Sequence, residues 1–257
     1  MGATEIVDRL VSAVPYLRIS VGDNREPIEW WSCESLVEDP EALIDLARST
    51  ASGRGTDQDQ VAISLFVQGY AFRIASVAIG GWLLDDAVVD VAPARTSIAL
   101  GRSRPNAVHF DSLTVATAEE PLAALHEQLI ENHLARLVAN AHRACRVGEA
   151  LLWANVAAAC ASSFQAFDEK MAPGSRGVPS RVERFFSSGR PELIAAGHAR
   201  AVGEDWVWER RACCLWYRTE GARRCDDCSL WSEDEREERC AAMNLRVEGV
   251  TGEKATS

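Results

Sequence analysis

The chain has 257 residues, enough for one large domain or a main domain with a small companion. Its hydrophobic content of 47% is that of a soluble protein with a real core. With 27 basic against 38 acidic residues, the net charge of -11 excludes wholesale nucleic-acid binding.

Thr4 to Val14 reads as a short amphipathic helix stopped by Pro15. Its charges, Glu5, Asp8 and Arg9, are unlike those of a signal peptide. Leu17, Ile19 and Val21 alternate with Arg18 and Ser20, the pattern of a half-buried strand over Tyr16 to Val21. Asp39-Pro40 starts a helix running to about Ser49, with Asp as N-cap and Pro at the first helical position. After a polar loop, a long helix spans roughly Asp57 to Gly80. The apolar run Val61 to Leu84 contains Gln68 and Arg73 and ends near two glycines, so it reads as a buried core helix and not a membrane span.

Strands follow at Ala87–Val91, Thr96–Leu100 and Ala107–Leu113, punctuated by Pro93, Gly101 and Pro105. Thr117-x-x-Glu120 reads as a capping box opening a helix to about Arg146. A further alanine-rich helix spans Glu149 to Glu169. Pro173, Gly174, Gly177 and Pro179 mark Met171 to Ser180 as a linker. Two short helices follow, at Arg181–Ser187 and Pro191–Arg200, and Trp206 to Arg211 is extended. A second capping box, Ser232-x-x-Glu235, starts a terminal helix to about Met243. The whole is a helix-rich α+β fold. A larger N-terminal domain of mixed helix and strand occupies residues 1–170, a linker with short helices 171–200, and a small cysteine-bearing unit 201–257.

Eight cysteines in a chain without a recognisable leader point to the cytoplasm, and there to metal or redox chemistry over structural disulfides. Cys33, Cys145 and Cys160 are scattered and read as small buried hydrophobes. Cys240 sits in helical surroundings that suit packing. His126 and His133 share a helix but have no local cysteine partner, and His109, His142 and His198 stand alone. The informative run is Cys213-Cys214, ten residues, Cys225, two residues, Cys228.

Structural zinc sites use two C-x₂₋₄-C pairs, whose short turns aim both thiolates at one ion. Adjacent cysteines in an extended strand point to opposite faces. To share a centre they need an irregular backbone, or a centre larger than one ion. A two-iron cluster offers two metal corners and suits them better. Zinc and a thiol–disulfide switch stay open on spacing alone.

Arg210, Arg211, Arg218, Arg223 and Arg224 bracket or interrupt the cysteines. With Trp216 and Tyr217 they are candidates for shaping the cluster's environment, or for docking an anionic substrate or an acidic donor. Trp206 and Trp208 suit core packing of the small unit.

Arg211-Ala212-Cys213-Cys214-Leu215-Trp216-Tyr217-Arg218, followed by Cys225-Asp226-Asp227-Cys228-Ser229-Leu230, resembles the C-terminal motif of FhuF-type ferric-siderophore reductases. In that family a [2Fe–2S] cluster is held by C-C-x₁₀-C-x₂-C. Leu152-Trp153-Ala154-Asn155-Val156 looks like the family's LWGN segment, with Ala154 in place of Gly. Alanine is the better helix former, so the change costs little.

The resemblance implies cluster ligands at Cys213, Cys214, Cys225 and Cys228. It also implies one-electron reduction of a ferric siderophore, of hydroxamate type, with release of Fe²⁺. The chain has no G-x-G-x-x-G and no P-loop, so electrons are expected from a separate donor such as a ferredoxin. The alternatives are a zinc-stapled interaction module and an iron–sulfur sensor without turnover.

Overall fold

A computed structural model describes residues 2–101, 104–168, 178–202, 205–225, 227–236 and 238–239. Helix α1 (Ala3–Ala13) and strand β1 (Arg18–Val21) open the chain. Strand β2 (Trp30–Ser32) and helix α2 (Cys33–Glu38) follow; both are too short to show a period in the sequence. Helix α3 (Pro40–Ser52) begins as its sequence dictates. Asp39 Oδ1 accepts the backbone N–H groups of Glu41 and Ala42 at 2.9 and 3.2 Å, and Pro40 occupies a position that needs no donor.

Two long helices form the centre, α4 (Asp59–Asp85) and α7 (Glu149–Asp168), packed along each other. Both are apolar round most of their circumference, the mark of a helix largely covered by the fold. Each is long and apolar enough to cross a membrane, yet 83% and 78% of their most apolar windows are buried within the fold. Helix α4 runs straight through the glycines expected to end it. A Cβ at Gly80 would overlap the side chains of Phe167 and Leu10, so the glycine is what lets α7 and α1 close on α4. The helix ends instead at Asp86, in the left-handed region at φ 51°.

Strands β3 (Ala87–Val89), β4 (Thr96–Leu100), β5 (Pro105–Phe110) and β6 (Val115–Thr117) come next. The main sheet has the order β1-β5-β4-β2, with β1 parallel to β5 and the other pairs antiparallel. β3 and β6 form a separate antiparallel pair in which Thr117 lies opposite Ala87. That ladder takes Thr117, so the expected capping box does not form. The helix starts at Pro121 with no capping side chain.

From there the chain stays helical through α5 (Pro121–Leu125), a π-helical stretch (His126–Leu134) and α6 (Ala135–Cys145). His126 and His133 are packing residues. His126 stacks on Phe185 at 4.6 Å. His133 is buried, with Nε2 2.6 Å from Tyr70 Oη and Nδ1 2.5 Å from the Val91 carbonyl.

Helices α8 (Val178–Ser187) and α9 (Pro191–Ala195) lead to a hairpin of β7 (Gly197–Val202) and β8 (Asp205–Arg210). The helix expected over Pro191–Arg200 stops early because Gly197 onward pairs with β8. Of the expected linker, 171–177 lies outside the described residues, and α8 begins at Val178. Val178, Phe185, Trp206 and Trp208 belong to the same hydrophobic core as α1, α4 and α7. The second capping box forms: the Ser232 N–H donates to Glu235 Oε2 at 2.7 Å, and the Glu235 N–H to Ser232 Oγ at 3.2 Å. Residues 233–236 and 238–239 are helical; Cys240 and the expected helix end at Met243 lie outside the described residues.

Candidate metal centre

Strand β8 ends on Arg210, and the chain leaves the sheet in a loop that carries the four cysteines. The irregular backbone that the adjacent cysteines require is present. Leu215 sits in the left-handed region at φ 65°, unusual for a branched side chain, and bends the chain just after the pair. The Leu215 N–H donates to Cys213 Sγ at 3.4 Å, and one 3₁₀ turn follows at Trp216–Arg218. Cys225 and Cys228 are joined by a tight turn, the Cys228 N–H donating to the Cys225 carbonyl at 3.2 Å.

The thiols come together two and two. Cys214 Sγ lies 3.6 Å from Cys225 Sγ, and Cys213 lies beside Cys228. Among the described residues no three His, Cys, Asp or Glu side chains converge on a single-ion position. Two thiol pairs fit a centre with two metal corners better than one tetrahedral ion. The hydrogen bond from Cys225 first, then Arg210 and the Trp216 N–H, hold Cys214 down at about 6 against the cost of burial, and the same bond pushes Cys225 up.

Arg210 binds this loop to the body of the protein. Its side chain is fully buried, with Nε 2.7 Å from Asp227 Oδ2 and Nη1 3.3 Å from Asn155 Oδ1. Burial works against its charge, but Asp227 and the thiols of Cys214 and Cys225 outweigh that and hold it charged. Its Nη2 is buried without a partner. An orphaned cationic donor beside thiols is what an anionic sulfur-rich group would satisfy, so the residues present fit such a cluster.

A second tie runs through the two central helices. Ser64 Oγ on α4 donates to the Cys214 carbonyl at 2.7 Å. Asn155 Nδ2 on α7 donates to the Ser64 carbonyl and Oγ at 2.9 and 2.8 Å. Asn155 thus joins Arg210 to Ser64, and both to the backbone of Cys214.

Beside the thiols opens a cavity of about 550 Å³. Cys214, Cys225 and Trp216 line it from the loop, Gln68 and Arg73 from α4, and Arg104 and Pro105 from the turn into β5. Gly69 lets this turn approach: a Cβ there would stand 3.1 Å from Pro105 Cδ.

The five arginines singled out in the sequence separate. Arg210 is buried at the centre, while Arg211 and Arg223 are exposed. Arg218 lies 5.7 Å over the Tyr217 ring, and Arg224 lies 4.8 Å over Trp231 and 3.6 Å from Glu235. Trp216 reaches the cavity; Tyr217 is exposed and does not line it. Trp206 and Trp208 are buried in the main core, Trp208 against Phe186 at 4.2 Å. Sequence reasoning missed Arg54 and Arg104, and it named Asn155 only within the LWGN-like segment, with no role beside the cysteines. One signal was present: Gln68 and Arg73, the polar residues inside the apolar run, both face the cavity.

Residues 64–189 match the family described as ferric iron reductase FhuF-like transporter, and residues 210–230 match the FhuF 2Fe-2S C-terminal domain. Together these spans cover more than half of the chain. The chain belongs to the FhuF-type ferric iron reductase family. It is an oxidoreductase family with a [2Fe–2S] centre, and the zinc-stapled reading falls with that match. No curated protein matches the chain. The two FhuF spans contain Ser64 and Asn155 on one side and Arg210, Asp227 and all four cysteines on the other. The ties described above therefore join the two matched regions.

Proposed function

We propose that this protein is a cytoplasmic ferric-siderophore reductase, which takes an iron chelate beside the cysteine loop and releases Fe²⁺. The observation that carries this reading is that Cys214 and Cys225 form part of the wall of a cavity of ligand size. Cys213, Cys214, Cys225 and Cys228 would hold the [2Fe–2S] cluster, which supplies one electron at a time when bound. Arg210 offsets its negative charge from the buried side. Ser64 and Asn155 fix the Cys214 backbone against the cavity, so the thiol edge keeps one position relative to substrate.

Fe³⁺ chelates of hard oxygen donors, the expected hydroxamates among them, lose their hold when the iron takes one electron. The ligand oxygens then take protons from solvent, and no side chain has to act as a general acid. A ferredoxin-like protein is the proposed electron source. The free thiols of Cys33, Cys145 and Cys160 fit a reducing compartment.

The test is anaerobic. Reduced protein is mixed with a ferrous-specific chelator and a set of ferric chelates, hydroxamates among them, and colour is followed over several turnovers. Brown protein that bleaches on reduction, with repeated Fe²⁺ release, is the expected result. Colourless protein with stoichiometric zinc, or cluster redox without turnover, overturns the reading. Cys213→Ser is expected to lose the visible absorption and the activity together.

A further inference from the structure

The cavity beside the thiols is basic in a protein that is acidic overall. Arg54, Arg73 and Arg104 line it, and no Asp or Glu does so among the described residues. They come from the end of α3, the middle of α4 and the β4–β5 turn, so the fold and not the sequence gathers them. Burial lowers the pKa of Arg54 and of Arg73, and the nearby charge of Arg104 lowers each further. None forms an ion pair among the described residues. Glu220 lies against Gly55, next to Arg54, yet does not pair with it. Arg54 is held 5.4 Å from the Trp216 ring, and Arg73 donates to the Pro105 carbonyl at 3.1 Å. Arg73 also donates to the Tyr16 carbonyl at 3.4 Å. Three guanidinium groups around one cavity, with no carboxylate in its wall among the described residues, suit an anionic guest.

We infer that the cavity selects ferric chelates that carry net negative charge, with Arg54 and Arg104 as their direct contacts. This rests on the reading of the protein as a ferric-chelate reductase. Three hydroxamates cancel the charge of Fe³⁺ and leave a neutral complex. Catecholate chelates, and hydroxamates that bear extra carboxylates, stay anionic. The arginines favour these two over the neutral form. The wall of Tyr16, Phe72 and Trp216 gives flat surfaces for the organic part of the ligand.

The experiment separates binding from turnover by using Ga³⁺, which matches Fe³⁺ in charge and accepts no electron. Calorimetry on the cluster-loaded protein compares three gallium chelates: a neutral tris-hydroxamate, a tris-catecholate and a carboxylate-bearing hydroxamate. The anionic pair is expected to bind at least about tenfold tighter than the neutral one, as one charge-assisted contact allows. The ratio between the two anionic arms tells which source of charge the cavity prefers. Arg54→Gln and Arg104→Gln are each expected to weaken anionic binding about tenfold and to leave the neutral chelate unchanged. Arg184→Gln, an exposed change on α8, controls for net charge and is expected to do neither.

Equal or tighter binding of the neutral chelate overturns the inference, as does a charge preference that survives in Arg54→Gln/Arg104→Gln. Failure of the reductase reading looks different: no ferric chelate of any charge is turned over, whatever the gallium arms show.

Discussion

Arg210 touches both the body of the protein and the thiols. Its side chain is fully buried, and its charge is balanced by Asp227 and by the Cys214–Cys225 pair. Removing it leaves a half-buried carboxylate facing thiolates. Arg210→Gln is expected to destabilise the loaded protein by about 2 kcal/mol, less than a fully buried pair because Asp227 is partly exposed. It should also lower the reduction potential of the centre. Urea denaturation and a redox titration check the two effects, and an unchanged potential would mean that Asp227 already cancels the cation. The four cysteines were legible because their spacing is local chemistry. Arg210 was legible only as one of five neighbouring arginines. What singles it out is Asn155, fifty-five residues away in the chain.

Among elements, α4 and α7 carry the site because they can lie so close. At Gly80 the missing side chain leaves the space that Phe167 of α7 and Leu10 of α1 fill. Gly80→Val is expected to cost about 3 kcal/mol through overpacking against Phe167 and Leu10, read as a shifted urea midpoint. Asn155→Ala leaves Arg210 Nη1 without an acceptor and Ser64 without its donor, for about 2 kcal/mol. If Asn155 positions the loop and does more than hold α7 on α4, the same variant also shifts the cluster's visible spectrum.

The sequence announces some of these elements and hides others for physical reasons. The Asp39 cap and the Ser232–Glu235 box need only neighbours within three residues, and both form. Thr117 carries the same local signal, but a strand pairing from Ala87 claims it first. Of the cavity only Gln68 and Arg73, polar residues in an apolar run, left a trace in the sequence, because Arg54, Arg73 and Arg104 meet only once the sheet and α4 are assembled.

For the molecule as a whole, acid is the weak side. Burial, the main cause, holds His133 down from its ordinary 6.5 to about 4, and Arg136 adds to this while the Val91 carbonyl and Glu34 oppose it. Between those values the unfolded chain binds a proton that the folded chain refuses. Stability is therefore intact above pH 6.5 and falls by about 1.4 kcal/mol per unit as pH drops through that window, roughly 3 kcal/mol by pH 4. His109 and His126, also depressed by burial, add in the same direction. Denaturation at pH 7 and pH 5 should show the loss, and His133→Gln should flatten it.

The cavity wall has a consequence at this same scale. Part of it belongs to the cysteine loop and the rest to the body of the protein, chiefly α4, with Arg54 after α3, Tyr16 before β1, α7 and the β4–β5 turn. On the proposed reading, a chelate that grips both sides and the cluster held by the loop favour one another by linkage. Cluster-free protein is then expected to bind the chelate more weakly, and chelate-occupied protein to lose its cluster iron more slowly to a chelator.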